Sequence, residues 1–231
     1  MKAAFVGEYE LTSIGYIKVI NILKKYRFDA IYLFNTFNDD FVNECRKNNI
    51  KVILTINFML LEKEEIISYI NRFKDIIDGV CFDYIREEST SFFNIFKMSE
   101  IYLKFWQIKK EFPTIKQWDV CYKCEDYFAF FTNEINRLLY GQCIGFFKPL
   151  VTNFLMMSYH QEYNQPIEKI CNMIDQLQKH YGDCVVPIFQ TYQDIPYVDY
   201  TKEWKEVASE SKRYPKKAYF RLGTCKPDSF L

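Results

Sequence analysis

The chain has 231 residues, 49% hydrophobic and 19% aromatic, enough to build one large core. Thirty basic and thirty acidic side chains leave a formal net charge of zero, so no electrostatic footprint points to DNA, RNA or an anionic membrane surface. No apolar stretch approaches the roughly 20 residues that span a bilayer, and the opening MKAAFVG lacks the apolar run and cleavage site of a signal peptide. These features predict a soluble protein, cytoplasmic as encoded, with no nucleic-acid or membrane partner. A phage or virus product released by lysis would look the same.

A first buried strand is expected at 3–7. A helix follows at 13–26, where Ile17, Ile20, Ile22 and Leu23 lie largely on one side and Lys18, Lys24 and Lys25 nearer the other. Strand 30–35 leads into helix 39–48, and strand 51–58 into helix 63–77, which sets Ile66, Ile67, Ile70 and Phe73 against Glu64, Glu65 and Lys74. The turn dipeptide Asp78-Gly79 opens strand 79–85. In the helix at 92–112, the aromatic residues Phe92, Phe93, Phe96, Phe105 and Trp106 read as packing.

Strand 117–122 and helix 125–140 come next, then a stretch at 141–151 broken by Gly141, Gly145 and Pro149 and read as an extended loop. Strand 153–159 precedes a helix at 166–181, with Pro166 in its first turn and Gly182 just past its end. Strand 185–191, helix 202–213 and strand 218–223 complete the chain. Short apolar strands alternating strictly with helices predict a parallel sheet, and a count of eight favours closure. The expected fold is α/β: a single (β/α)8 TIM barrel over residues 1–231.

The eight cysteines are scattered, several within predicted strands or helices, where cysteine behaves as a small hydrophobe. Cys121-Tyr-Lys-Cys124 has zinc-ligand spacing, but no second CxxC or CxxH follows at the usual distance, so no metal is expected. Dinucleotide, Walker, G-x-S-x-G and H-E-x-x-H motifs are absent from the sequence, and no cofactor is expected. The turns after strands seven and eight are poor in glycine, which disfavours a phosphorylated substrate.

Catalytic groups of such barrels lie at the C-terminal strand ends. The run Asp78-Gly79-Val80-Cys81-Phe82-Asp83-Tyr84-Ile85-Arg86 passes through an apolar strand and ends in a carboxylate, a phenol and a guanidinium. A carboxylate there is costly unless it serves a site, although Asp83 also reads as half of a structural ion pair with Arg86. Other strand ends offer Glu8, Asn35, Asn57, Asp119 (within or near the end of its strand), Ser158, Tyr159, His160, Gln190, Tyr192 and Arg221. Glu8 alternatively favours a helix N-terminus, Glu10 reads as surface, and His180 as a solvated charge at a helix end. Amides, phenols, guanidinia and carboxylates on one rim suit a ligand rich in hydroxyls, with Tyr159, Tyr192 and Trp118 available to stack on sugar rings.

Asp78-Gly79-x-x-x-Asp83 resembles the strand-four signature D-G-x-D-x-D-x-E of chitinase-like glycoside hydrolases. The longer run from Gly79 to Arg86 is similar to a related group of glycosidase-like barrels whose fourth strand ends in F-D-Y-I-R. Met157-Ser158-Tyr159 resembles their M-x-Y on strand six, and Pro187-Ile-Phe-Gln190 a P-x-x-Q on strand seven whose amide contacts substrate. The resemblance implies a carbohydrate ligand, with Asp83 in a reacting role and Tyr84, Arg86, Tyr159 and Gln190 around it. The pattern departs where the chitinase acid would stand at Ile85 and an inner aspartate at Cys81, and Glu87 comes two residues late, which argues against substrate-assisted chitinase chemistry. A two-carboxylate hydrolysis of a polysaccharide or cell-surface glycan remains, with Asp83 as one group and Asp119 or Glu8 as the other. Without a second acid the chain would be an inactive, carbohydrate-binding or structural barrel, for instance in a phage or virus particle. An isomerase or lyase on the same fold stays open, as do the sugar, the linkage and the oligomeric state.

Overall fold

Each of the eight apolar runs becomes a parallel strand in the computed structural model, which describes residues 1–34, 36–83, 85, 93–123, 143–160, 165–191, 201–220 and 222. The strands are β1 (Lys2–Gly7), β2 (Ala30–Phe34), β3 (Lys51–Asn57), β4 (Gly79–Asp83), β5 (Gln117–Lys123), β6 (Asn153–Ser158), β7 (Val185–Gln190) and β8 (Lys217–Phe220). Each pairs with the next, and β8 closes on β1.

The described helices are α1 (Tyr16–Lys25), α2 (Asp39–Lys47), α3 (Lys63–Phe73), α4 (Asn94–Glu111), α5 (Ile144–Phe147), α6 (Ile167–Tyr181) and α7 (Thr201–Ser211). The helix expected at 125–140 lies outside the described residues. Local signals account for several ends. The Asn38 side chain accepts the Phe41 N–H at 2.8 Å to start α2, and Glu62 and Glu65 form a reciprocal capping box on α3. Gly182 ends α6 at φ +88°, a conformation that side chains with a Cβ rarely adopt. Pro166 stands immediately before α6 in extended backbone, not inside its first turn. The stretch read as a loop at 141–151 holds the one-turn helix α5, whose Ile144 and Phe147 are buried. The first helix begins early, as a π-helical turn over Glu10–Gly15. Among the described residues no helix is long and apolar enough to cross a membrane.

Alternation along each strand separates two apolar cores. Val52, Leu54 and Ile56 of β3 join Phe82, Trp118 and Phe105 in the layer between barrel and helices. Ala3, Phe5, Tyr32, Ile53, Cys81, Cys121, Leu155 and Ile188 fill the barrel interior. At the lower end, Asp29 and Asp78 do the same work on two strands: their carboxylates accept the N–H groups of Lys2 and Val52 at 2.7 and 2.9 Å.

The register fixes the height of every inward side chain. From Tyr159, the pairing runs through Gln190, Phe220, Phe5, Tyr32, Ile53, Gly79 and Gln117, and it returns to β6 at Val151, eight residues lower. Residues at equal height therefore climb one position per strand, and interior side chains form layers of four drawn from alternate strands.

Candidate active site at the barrel mouth

This stagger puts Phe34 of β2, Asp83 of β4, Met157 of β6 and Phe220 of β8 in one layer at the C-terminal mouth. All four are half-buried, the exposure expected of a cup floor. One position higher, the odd strands contribute Gly7, Asn57, Lys123 and Gln190. The mouth is two-sided. On β8 and β2 the Phe34 and Phe220 rings lie 5.8 Å apart, backed by Phe5 and by Tyr159, which stacks on Phe220 at 5.6 Å. On β3 to β5, Asn57 is register-paired with Asp83, and Lys123 follows on the next strand.

Gly7 makes the apolar side possible. A Cβ at this position would stand 2.6 Å from the Phe34 ring, so the ring lies over β1 only because the residue there has no side chain. Just beyond, Glu10 turns back so that its carboxylate accepts the Gly7 N–H at 2.8 Å. Glu10 is fully buried, which corrects its reading as a surface residue. The helical turn that starts at Glu8 folds it inward.

The Asp83 carbonyl accepts the Phe58 N–H at 2.8 Å, and its half-buried side chain stands in the mouth layer. Asp119 has a different environment. It pairs with Cys81, not with Asp83, and it lies three layers beneath, about 8 Å down the barrel for strands of this tilt. Two interior layers, including Cys81 and Cys121 with sulfurs 3.6 Å apart, lie between the carboxylates. Asp119 is fully buried and accepts hydrogen bonds from Tyr32 Oη (2.8 Å), Gln117 Nε2 (2.7 Å) and Asn153 Nδ2 (2.8 Å). Burial pushes its carboxyl up to about 6, against the pull of those three donors towards the charged form. The same burial, reinforced by Asp119, holds the Tyr32 phenol well above its usual range. Asp119 ties β2, β5 and β6 together inside the barrel and stands clear of the mouth.

Glu8 is exposed where β1 ends. Gln190 is fully buried at the end of β7, register-paired with Phe220, and His160 is buried beyond Tyr159. Trp118 cannot stack on a ligand: it faces the helices, fully buried, its indole N–H donating to the Ile115 carbonyl. Asn35, Tyr84, Arg86, Tyr192 and Arg221 lie outside the described residues. Ile85 is fully buried in the layer between barrel and helices, so the position of the chitinase acid offers the mouth neither a carboxylate nor space.

Sequence reading missed Phe34, Phe220 and Lys123. The phenylalanines looked like further core in apolar runs, and Lys123 lay one residue past the expected end of its strand. One layer below Asp83, the buried Thr55 hydroxyl has no hydrogen-bond partner among the described residues. No three His, Cys, Asp or Glu side chains among those residues are placed to hold a metal.

The chain is thus a (β/α)8 barrel. No protein-family model and no curated protein matches the sequence. The spore cortex-lytic enzyme SleL of Bacillus cereus shares the fold at TM-score 0.68 and 8% identity, over 99% of this chain and 72% of that one. A family 18 chitinase from Crocus vernus does so at TM-score 0.63 and 13% identity, over 100% and 96%. An AP endonuclease of family 2 from Brucella melitensis aligns at TM-score 0.55 and 11% identity, over 100% and 96%. Such identities establish the fold, and the chemistry has to be argued from the site.

Proposed function

We propose that the chain is a glycoside hydrolase acting on a polysaccharide or cell-surface glycan, with Asp83 as the reacting carboxylate. The observation that carries this reading is the composition of the mouth layer, one half-exposed carboxylate level with two phenylalanine rings. A sugar has apolar C–H faces and a hydroxyl periphery. It fits a cup with aromatic rings on one side and Asn57, Asp83 and Lys123 on the other. The likeness to a cortex-lytic enzyme and a chitinase supports the same class.

Hydrolysis needs a second acid or base. Asp119 is too deep and too fully bonded to serve, so of the sequence candidates Glu8, at the end of β1, takes that role. A second reading, a carbohydrate-binding barrel without hydrolysis, is favoured by one specific observation: the carboxylate on the strand next to Asp83 is sealed inside the barrel.

Purified protein incubated with peptidoglycan, chitin and β-glucan fragments separates the two readings. The hydrolase reading expects reducing ends to appear, with Asp83→Asn lowering the rate by at least about a thousandfold while glycan affinity persists, because an amide neither attacks nor carries the proton. Glycan binding without turnover in the wild type selects the binding barrel. If neither turnover nor binding occurs, both readings fail.

A further inference from the structure

Helix α4 is apolar on two opposite faces. Met98, Ile101, Phe105 and Ile108 are buried against the barrel, as an amphipathic helix requires. On the far side Phe96, Leu103 and Trp106 stand 72%, 51% and 43% exposed. Positions 96, 100, 103 and 110 recur at helical spacing and form one exposed stripe, with Trp106 beside it. Solvent-facing helices rarely carry such a patch unless something covers it, and tryptophan in particular marks interface centres.

Charge on the stripe identifies the cover. Glu100 lies to one side of the Leu103–Trp106 pair and Lys110 to the other, ten positions apart and so about 15 Å along the axis. A helix with an acid at one end of its apolar patch and a base at the other complements its own copy when the two run antiparallel. With the two-fold axis crossing near residue 105, Glu100 faces the partner's Lys110 twice, and the leucine and tryptophan of both copies meet between these ion pairs. The neutral formal charge of the whole chain adds no long-range repulsion between copies.

We propose that α4 is the contact surface of a symmetric homodimer, joined by Leu103 and Trp106 at the centre and by reciprocal Glu100–Lys110 pairs at the ends. This reading is independent of the activity proposed for the mouth. Sedimentation equilibrium of the full chain over a wide concentration range tests it. The wild type should pass from a 27.9 kDa monomer to a species of twice that mass. Trp106→Glu, a change at an exposed position with retention of the fold checked by circular dichroism, should weaken association at least tenfold. E100K and K110E should each weaken it, and the double swap should return it to within about threefold of wild type. A wild type that stays monomeric overturns the proposal. So does a dimer indifferent to Trp106→Glu, or a double swap no tighter than its parents.

Discussion

Asp119 sits among three donors with no access to water, and Asp83 stands half-open at the mouth, although both are aspartates on adjacent strands. The sequence does not separate them, because an acid inside an apolar run looks the same whether it ends a strand or braces its interior. Asp119 should titrate accordingly. The folded value of Asp119 is about 6 and its ordinary value 3.8, so the folded chain holds this proton more tightly than the unfolded one. The associated stability is present below about pH 4 and is lost as the pH rises through about 6. At about 1.4 kcal/mol per pH unit separating the two values, the swing is roughly 3 kcal/mol. Asp119→Asn should abolish this component if Asn153 turns its amide to accept from the new donor. Urea unfolding from pH 4 to 7 is expected to show wild-type stability falling relative to the variant, and parallel profiles would count against a buried, titrating Asp119.

At the scale of elements, the mouth depends on how β1 ends. Gly7 gives Phe34 its place, and Glu10 in the π-helical turn satisfies the Gly7 N–H. Gly7→Ala should displace the Phe34 ring and cost about 1–3 kcal/mol, as overpacking does. It should also weaken any glycan binding, since the apolar wall is rebuilt. Glu10→Ala should destabilise by about 1–3 kcal/mol through the buried N–H left without an acceptor. Denaturant midpoints check both, and wild-type midpoints would show that the strand end needs neither residue. The strands were legible because buried parallel strands are continuous apolar runs. Continuity also hides parity: nothing in the run Ala30–Phe34 tells that Tyr32 and Phe34 face inward while Ile31 and Leu33 face the helices. Phe34 and Phe220 were therefore lost among the core residues. Lys123 was missed because β5 runs one residue longer than its apolar pattern. The breakers at Gly145 and Pro149 concealed α5, where two buried side chains hold a single turn in place.

For the whole molecule, eight strands and their stagger decide which distant residues meet. Phe34, Asp83, Met157 and Phe220 are spread over most of the chain, and the register alone brings them to one height. Asp83 was readable at a strand end; its neighbours in the layer depend on closure, which no local pattern encodes. The central claim is that this layer receives a sugar. A crystal of the Asp83→Asn variant soaked with a short glycan that the wild type binds or cleaves tests it most directly. The predicted result is a sugar ring in the mouth, its apolar face on Phe34 or Phe220 and a hydroxyl or glycosidic oxygen within hydrogen-bond distance, about 2.6–3.2 Å, of residue 83. A glycan bound on another surface of the barrel, with this layer unoccupied, would contradict the account.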